Sequence, residues 1–250
     1  GEALRRIAAL IAGGAPERRP YQAPVSWRIL PRVLGQALRA RRQLAEVAES
    51  ALSAVSDNPV YLLPDAGHPD GRVLSNGGYH EARVAPALDA LTAAQADLAL
   101  LADRQVSKLL DGHVSRLPHQ LPAGDGYLGT LGFAAAGFAE QARDAARATL
   151  LPGSEGGGFG QNDVAVPLFQ AWRRHREAGG ALDSTLAVLA AVASQALYVA
   201  DRPAPPALQG LLQQVRTAVP PLTDQRALGP ELETLAARLQ ARAEAGAGAD

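Results

Sequence analysis

The sequence predicts an all-α protein, a bundle of long helices interrupted by one small β-hairpin. Three observations carry this expectation. Apolar residues recur at alternating steps of four and three, as Val33, Ala37, Ala40, Leu44, Val47, Ala51 and Ala54. That spacing draws one stripe down a helix. A second stripe, Val84, Leu88, Leu91, Leu98 and Leu101, predicts a helix over 81–110. Strand-type runs occur only at 60–63 and 72–74, on either side of a turn-rich stretch with Pro64, Asp65, Gly67, Pro69, Asp70 and Gly71. Those runs read as a hairpin.

Residues 1–13 form a short amphipathic stretch containing Arg5 and Arg6. Pro24 and Pro31 fix an extended approach to the first long helix, which spans about 24 residues by its periodicity. The small residues in its stripe suit close approach by a neighbouring helix. After the hairpin, Tyr79 and His80 open the helix over 81–110. Further helices are predicted over 127–151, 165–176 (with Asp163 as a cap), 182–200, 207–218 and 230–243. Residues 245–250 read as a frayed tail. The whole of 1–250 reads as a single helical domain. Its narrow apolar stripes leave burial unfinished, which predicts completion by other subunits.

Composition narrows the chemistry. The formal net charge is -1, so no global field draws the chain to nucleic acid or a membrane surface. The absence of cysteine excludes disulfides, thiolate nucleophiles and cysteine zinc sites. His113 and His119 lack the spacing of a helical metal pair, and no metal site is expected. The apolar run 186–200 is interrupted by Ser194 and Gln195 and is too short to span a bilayer. Without a secretory signal, the expected compartment is the cytoplasm. Lys108 is the only lysine among 24 basic residues, a bias that suits an acidic substrate and equally a GC-rich genome. There is no methionine, so Gly1 follows a removed initiator or tag, or a break in a longer chain.

Three loop segments hold the candidate chemistry. Residues 22–28, Gln-Ala-Pro-Val-Ser-Trp-Arg, bring Arg28 to a helix start, where a guanidinium grips a carboxylate with two parallel bonds. A surface arginine holding a neighbouring loop is the plainer reading. Ser56-Asp57-Asn58-Pro59 precedes the hairpin, and Ser75-Asn76-Gly77-Gly78-Tyr79-His80 follows it. Asn58 is suited to hydrogen-bonding a polar group in a site and Tyr79 to stacking on a ring, or else the pair forms a helix cap with a packed aromatic. The glycine-rich stretch 154–163 ends in Gln161, Asn162 and Asp163, and nothing in it matches a phosphate-cradling loop.

In order and spacing these segments resemble the histidine, phenylalanine and tyrosine ammonia-lyases and their aminomutase relatives, over 21–201, with 202–250 as C-terminal helices and tail. Residues 22–28, with Pro31, Val33 and Gly35, are similar to the family's Gln-Asp-Pro-Tyr-Ser-x-Arg segment and the helix start that follows. Residues 56–59 match Ser/Thr-Asp-Asn-Pro, and 75–80 match Ser-Gly-Gly-Asn-Phe-His. Residues 111–118 and 193–197 echo later segments, and 154–163 lies where the family's loop ends in Gln-Glu-Asp.

The resemblance implies an ammonia-lyase-type helical bundle in a tetramer, with each active site assembled from three chains. It implies an electrophilic methylidene-imidazolone (MIO, 4-methylidene-imidazol-5-one) built from Ala-Ser-Gly, and a tyrosine base. Arg28 and Gln22 are the implied substrate-binding residues. Tyr79, Gln161 and Asn58 are the implied catalytic set, with Asn58 also the cofactor-binding residue. These 250 residues contain no Ala-Ser-Gly. Val25 stands where the family has a second tyrosine, Asn162 where it has Glu, and Ala23 where it has Asp. The expectation is a subunit acting on an aromatic amino acid, inactive without a partner half that carries Ala-Ser-Gly and the base, in a hetero-oligomer with a tetramer-like core. A 2,3-aminomutase subunit, a non-catalytic scaffolding relative and a piece of one longer enzyme are the alternatives.

Overall fold

In the computed structural model, residues 1–14, 22–150 and 156–247 are described. The calls on Tyr21, Leu151, Ser154 and residues 248–250 lie outside them. The long helices are α3 (Leu30–Ser53), α4 (Val84–Leu110), α6 (Leu131–Ala145), α7 (Leu168–Val199) and α9 (Gly229–Ala247). Shorter ones are α1 (Glu2–Ile11), α2 (Val25–Arg28), α5 (Gly112–Ser115) and α8 (Gln209–Ala218), the last preceded by a 3-10 turn at Pro206–Leu208. Strands β1 (Val60–Leu62) and β2 (Arg72–Leu74) pair antiparallel with Tyr61 opposite Val73, which is the predicted hairpin.

Helices α4, α6 and α7 pack against one another as the inner layer. Their meeting face is built from alanines, Ala96 and Ala99 on α4, Ala139 and Ala142 on α6, and Ala181 on α7. Small side chains let three backbones approach closely. Below them, Val106, Leu110, Leu128, Leu131, Val188, Val192 and Leu222 form the main core. Helix α9 closes one side of α7, with Leu235 against Ala187, Ala191 and Val215.

Helix α3 lies antiparallel to α4. At one end the Arg83 guanidinium donates to Ser50 Oγ (3.3 Å), and at the other the Gln105 amide donates to Ser26 O (2.9 Å). Only Ala40 of α3 is fully buried. The stripe read from the sequence faces α4, yet Val33, Ala37, Leu44, Val47 and Ala51 stay half covered. The N-termini of α4 and α7 meet through Val84, Ala85, Leu88, Leu168 and Ala171, joined by Leu44 of α3.

Several expected boundaries move. The two helices predicted over 165–176 and 182–200 are one continuous helix, α7, running through Gly179 and Gly180. Each glycine costs about 1 kcal/mol in a helix. Burial of the flanking Ala178 and Ala181 outweighs that cost. Asp163 caps nothing, because α7 begins at Leu168 after Pro167. Tyr79 and His80 sit in a turn ahead of α4, where Gly78 N donates to Asn76 Oδ1 (2.6 Å) and holds the chain out of helix. The approach at 22–28 includes the helical turn α2 rather than extended chain throughout. The helix over 127–151 is shorter, Leu131–Ala145, and α9 continues into the expected tail.

By length and composition α4 and α7 are apolar enough to cross a membrane. They are instead the middle of the bundle, and their remaining faces carry charge, including Asp97 and Arg104 on α4 and Arg173 and Glu177 on α7.

Candidate functional site

The candidate residues fall into two groups at opposite ends of α3. A helix of 24 residues is about 36 Å long at 1.5 Å per residue. One chain therefore cannot bring Arg28 and Asn58 to a single small molecule.

At the N-terminal end, Pro24 leads into α2 and Arg28 closes it. Arg28 Nε donates to Ala23 O (2.9 Å), which anchors the guanidinium on its own loop. The Arg28 side chain is exposed, and its two terminal nitrogens have no partner among the described residues. Gln22 is exposed beside it and lines a cleft of about 490 Å³ between this segment and the end of α4 with the α5 turn.

At the other end, Asn58 ties the two roots of the hairpin together. Its Oδ1 accepts from Asn76 N (2.7 Å) and Ser75 Oγ (3.2 Å). Asn76 reciprocates through Nδ2 to Asp57 O (3.1 Å), while Asp57 Oδ1 accepts from Asn58 N (2.8 Å). A Cβ on Gly78 would meet Val55 O at 2.9 Å, so glycine is required for the loops to close. The Asn58 oxygen is thus spent on architecture. Its amide NH2 is exposed and unpaired among the described residues. Tyr79 is 51% exposed, with its ring available for a contact beyond this chain. Ser75 and Asn76 as partners of Asn58 were not foreseen, because the contact spans a hairpin.

Gln161 lies on the loop before α7 and is exposed at the same end of the bundle as the α4 N-terminus. The loop is closed by Gly156 N donating to Asn162 O (3.0 Å) and Gln161 N donating to Gly158 O (3.2 Å). Its entry is pinned by Asp89, whose two carboxylate oxygens accept from Thr149 N (2.6 Å) and Thr149 Oγ1 (2.8 Å). No group of three or more His, Cys, Asp or Glu capable of holding a metal occurs among the described residues.

Comparison with known proteins identifies the family. The pattern of the family described as aromatic amino acid lyase matches residues 2–218. A histidine ammonia-lyase of Symbiobacterium thermophilum is 30% identical over 242 residues, covering 94% of this chain and 46% of the relative. The chain spans about half the length of the curated relatives it matches, 46% and 42% for the first two. Among solved structures, an ergothionase from Treponema denticola matches with a TM-score of 0.82 at 18% identity, over 96% of this chain and 49% of that one. A phenylalanine aminomutase from Pantoea agglomerans matches at 0.76 and 23%, over 94% and 46%. At such identities the two structures establish the fold alone. The family match, covering most of the chain, establishes more: this chain belongs to the aromatic amino acid lyases, the family of MIO-dependent ammonia-lyases and aminomutases.

Proposed function

We propose that this chain supplies the substrate-clamping half of an MIO-dependent ammonia-lyase acting on an aromatic amino acid, releasing ammonia and leaving an arylacrylate. The electrophile and the tyrosine base come from a partner polypeptide. The observation that carries the reading is Arg28. Its Nε is fixed on Ala23 O, its terminal nitrogens have no partner among the described residues, and Gln22 is exposed on the same loop. That is the arrangement for a bidentate grip on an amino acid's carboxylate.

The residues present suit the MIO group as a guest, since the exposed amides of Asn58 and Gln161 offer neutral donors to a carbonyl-bearing ring. They cannot generate it, because the 250 residues hold no Ala-Ser-Gly. When bound, the group supplies an electrophilic methylidene for the substrate amine. Of this chain's own groups, Arg28 and Gln22 hold the acid, and Tyr79 lies against the ring. The separation of Arg28 from Asn58 means that each copy serves two reaction centres, as in a tetramer whose centres draw on several chains.

A second reading, a scaffolding relative without turnover, is favoured by Val25 and Asn162, which carry neither the hydroxyl nor the carboxylate of the family pattern. One experiment separates the two. The chain is co-purified with an Ala-Ser-Gly-bearing half and assayed with histidine, phenylalanine and tyrosine by arylacrylate absorbance. Arg28→Ala should lower turnover at least about a hundredfold, the worth of two charge-assisted hydrogen bonds. Mixing Arg28→Ala chains with Asn58→Ala chains should then restore part of the activity. Turnover indifferent to Arg28→Ala identifies the scaffold.

A further inference from the structure

Besides Gln22, the cleft beside the 22–28 segment holds several side chains that the lyase reading does not use. One wall is Gln22, Ala23, Pro24 and Trp27, and the other includes Lys108, His113 and Arg116. No acidic residue lines it among the described residues. The nearest carboxylate along the chain, Asp111, is engaged in capping α5, accepting from His113 N (3.0 Å). Neither the Lys108 ammonium nor the Arg116 guanidinium hydrogen-bonds or pairs with any described residue, and neither stacks on the Trp27 indole. Two unpaired cations in a concave, partly apolar space focus a positive potential and concentrate anions. A volume of about 490 Å³ falls in the range of small-molecule sites.

Two details single out these two cations within the chain. Lys108 is the single lysine in a chain that uses arginine for all its other basic residues. Arg116 ends α5 at φ 61°, a left-handed position where glycine is the inexpensive residue. An arginine in that backbone conformation carries a cost, and its side chain lines the cleft.

We infer that this cleft binds a planar organic carboxylate, with Lys108 and Arg116 taking the acid and the Trp27 indole lying against the ring. Of the two residues that the lyase reading gives to the substrate's acid, Gln22 lines this cleft and Arg28 does not, so the inference rests on Lys108, Arg116 and Trp27, which that reading leaves out. The full chain contains two tryptophans, and Trp172→Phe leaves Trp27 as the only indole reporter. In that background, benzoate, cyclohexanecarboxylate and inorganic phosphate are titrated by Trp27 fluorescence and by calorimetry.

Benzoate should bind saturably and perturb Trp27, and should bind more tightly than the other two anions. Lys108→Ala and Arg116→Gly should each weaken it at least about tenfold, the loss of one charged hydrogen bond. Arg116→Gly relieves the left-handed strain, so unchanged or improved thermal stability excludes unfolding as the cause. Phosphate binding as well as benzoate, or affinity untouched by Lys108→Ala, overturns the inference. Loss of binding in Arg28→Ala but not in Lys108→Ala overturns it too, by moving the acid to the neighbouring loop. Failure of the lyase assay leaves every one of these outcomes unaffected.

Discussion

Helices α4 and α3 lie side by side and are of similar length, yet they are finished differently. Thirteen residues of α4 are buried, spread around much of its surface, whereas α3 buries one. Helix α4 is enclosed by α3, α6 and α7, all from the same chain. Helix α3 meets α4 on one side and leaves Leu52 and Val55 at its C-terminal end open to solvent. The inner layer is a completed core, whereas α3 and the hairpin keep most of their residues partly or fully exposed. Stability should therefore be concentrated in the inner layer, while the outer one should matter chiefly in the assembled protein.

The strongest challenge to that contrast is Gln195. Its amide nitrogen donates to Leu121 O (3.3 Å) and Leu222 O (3.1 Å), and its oxygen accepts from Leu222 N (2.9 Å), all in buried surroundings. It thereby holds Gln120 and Leu121, both at positive φ, against the segment entering the last helix. Gln195→Leu strands three backbone groups and should destabilise the chain by about 4 kcal/mol in urea unfolding. A loss under about 1 kcal/mol would show that these groups find other partners.

Next come two leucines. Leu235 is 0% exposed, and Leu235→Ala should cost about 3 kcal/mol. Leu52 is 90% exposed, and Leu52→Ala should change the isolated chain by less than about 0.5 kcal/mol. The same Leu52 change should weaken assembly measured by sedimentation; equal effects at the two sites would erase the distinction between layers.

The smallest effect concerns pH. His175 sits between α7 and α4, with Nδ1 3.4 Å from Thr92 Oγ1 and its ring against Trp172. Burial lowers its pKa below the ordinary histidine value. Above about pH 6.5 both folded and unfolded chains carry the neutral ring, and its contribution to stability is intact. As pH falls below that value the unfolded chain takes up the proton first, so stability declines until the folded pKa is passed. His175→Asn should flatten this part of the stability profile; an unchanged slope would assign it to other groups.

The architecture was largely legible in the residues. The four-three stripe fixed α3, and Pro64 through Gly71 marked the hairpin turn. What misled was local punctuation. Gly179-Gly180 reads as a break, yet the alanines around it have neighbours on α4 and α6 that a linear pattern does not display. Asp163 reads as a cap, and Pro167 moved the helix start beyond its reach. The site motifs were readable one at a time, whereas their arrangement was not. No spacing rule states that a helix length separates Arg28 from Asn58, or that Asn58 spends its oxygen on Ser75 and Asn76. The Trp27 and Lys108 cleft went unseen because its walls are about eighty positions apart in sequence.

The reach of α9 carries a lesson about boundaries. The pattern that identifies the family stops at residue 218, but the most enclosed leucine of the C-terminal region is Leu235, and the Gln195 brace grips Leu222. Signature and cohesion thus have different edges in this molecule: a version shortened to residue 218 would be cut through the middle of its own interior.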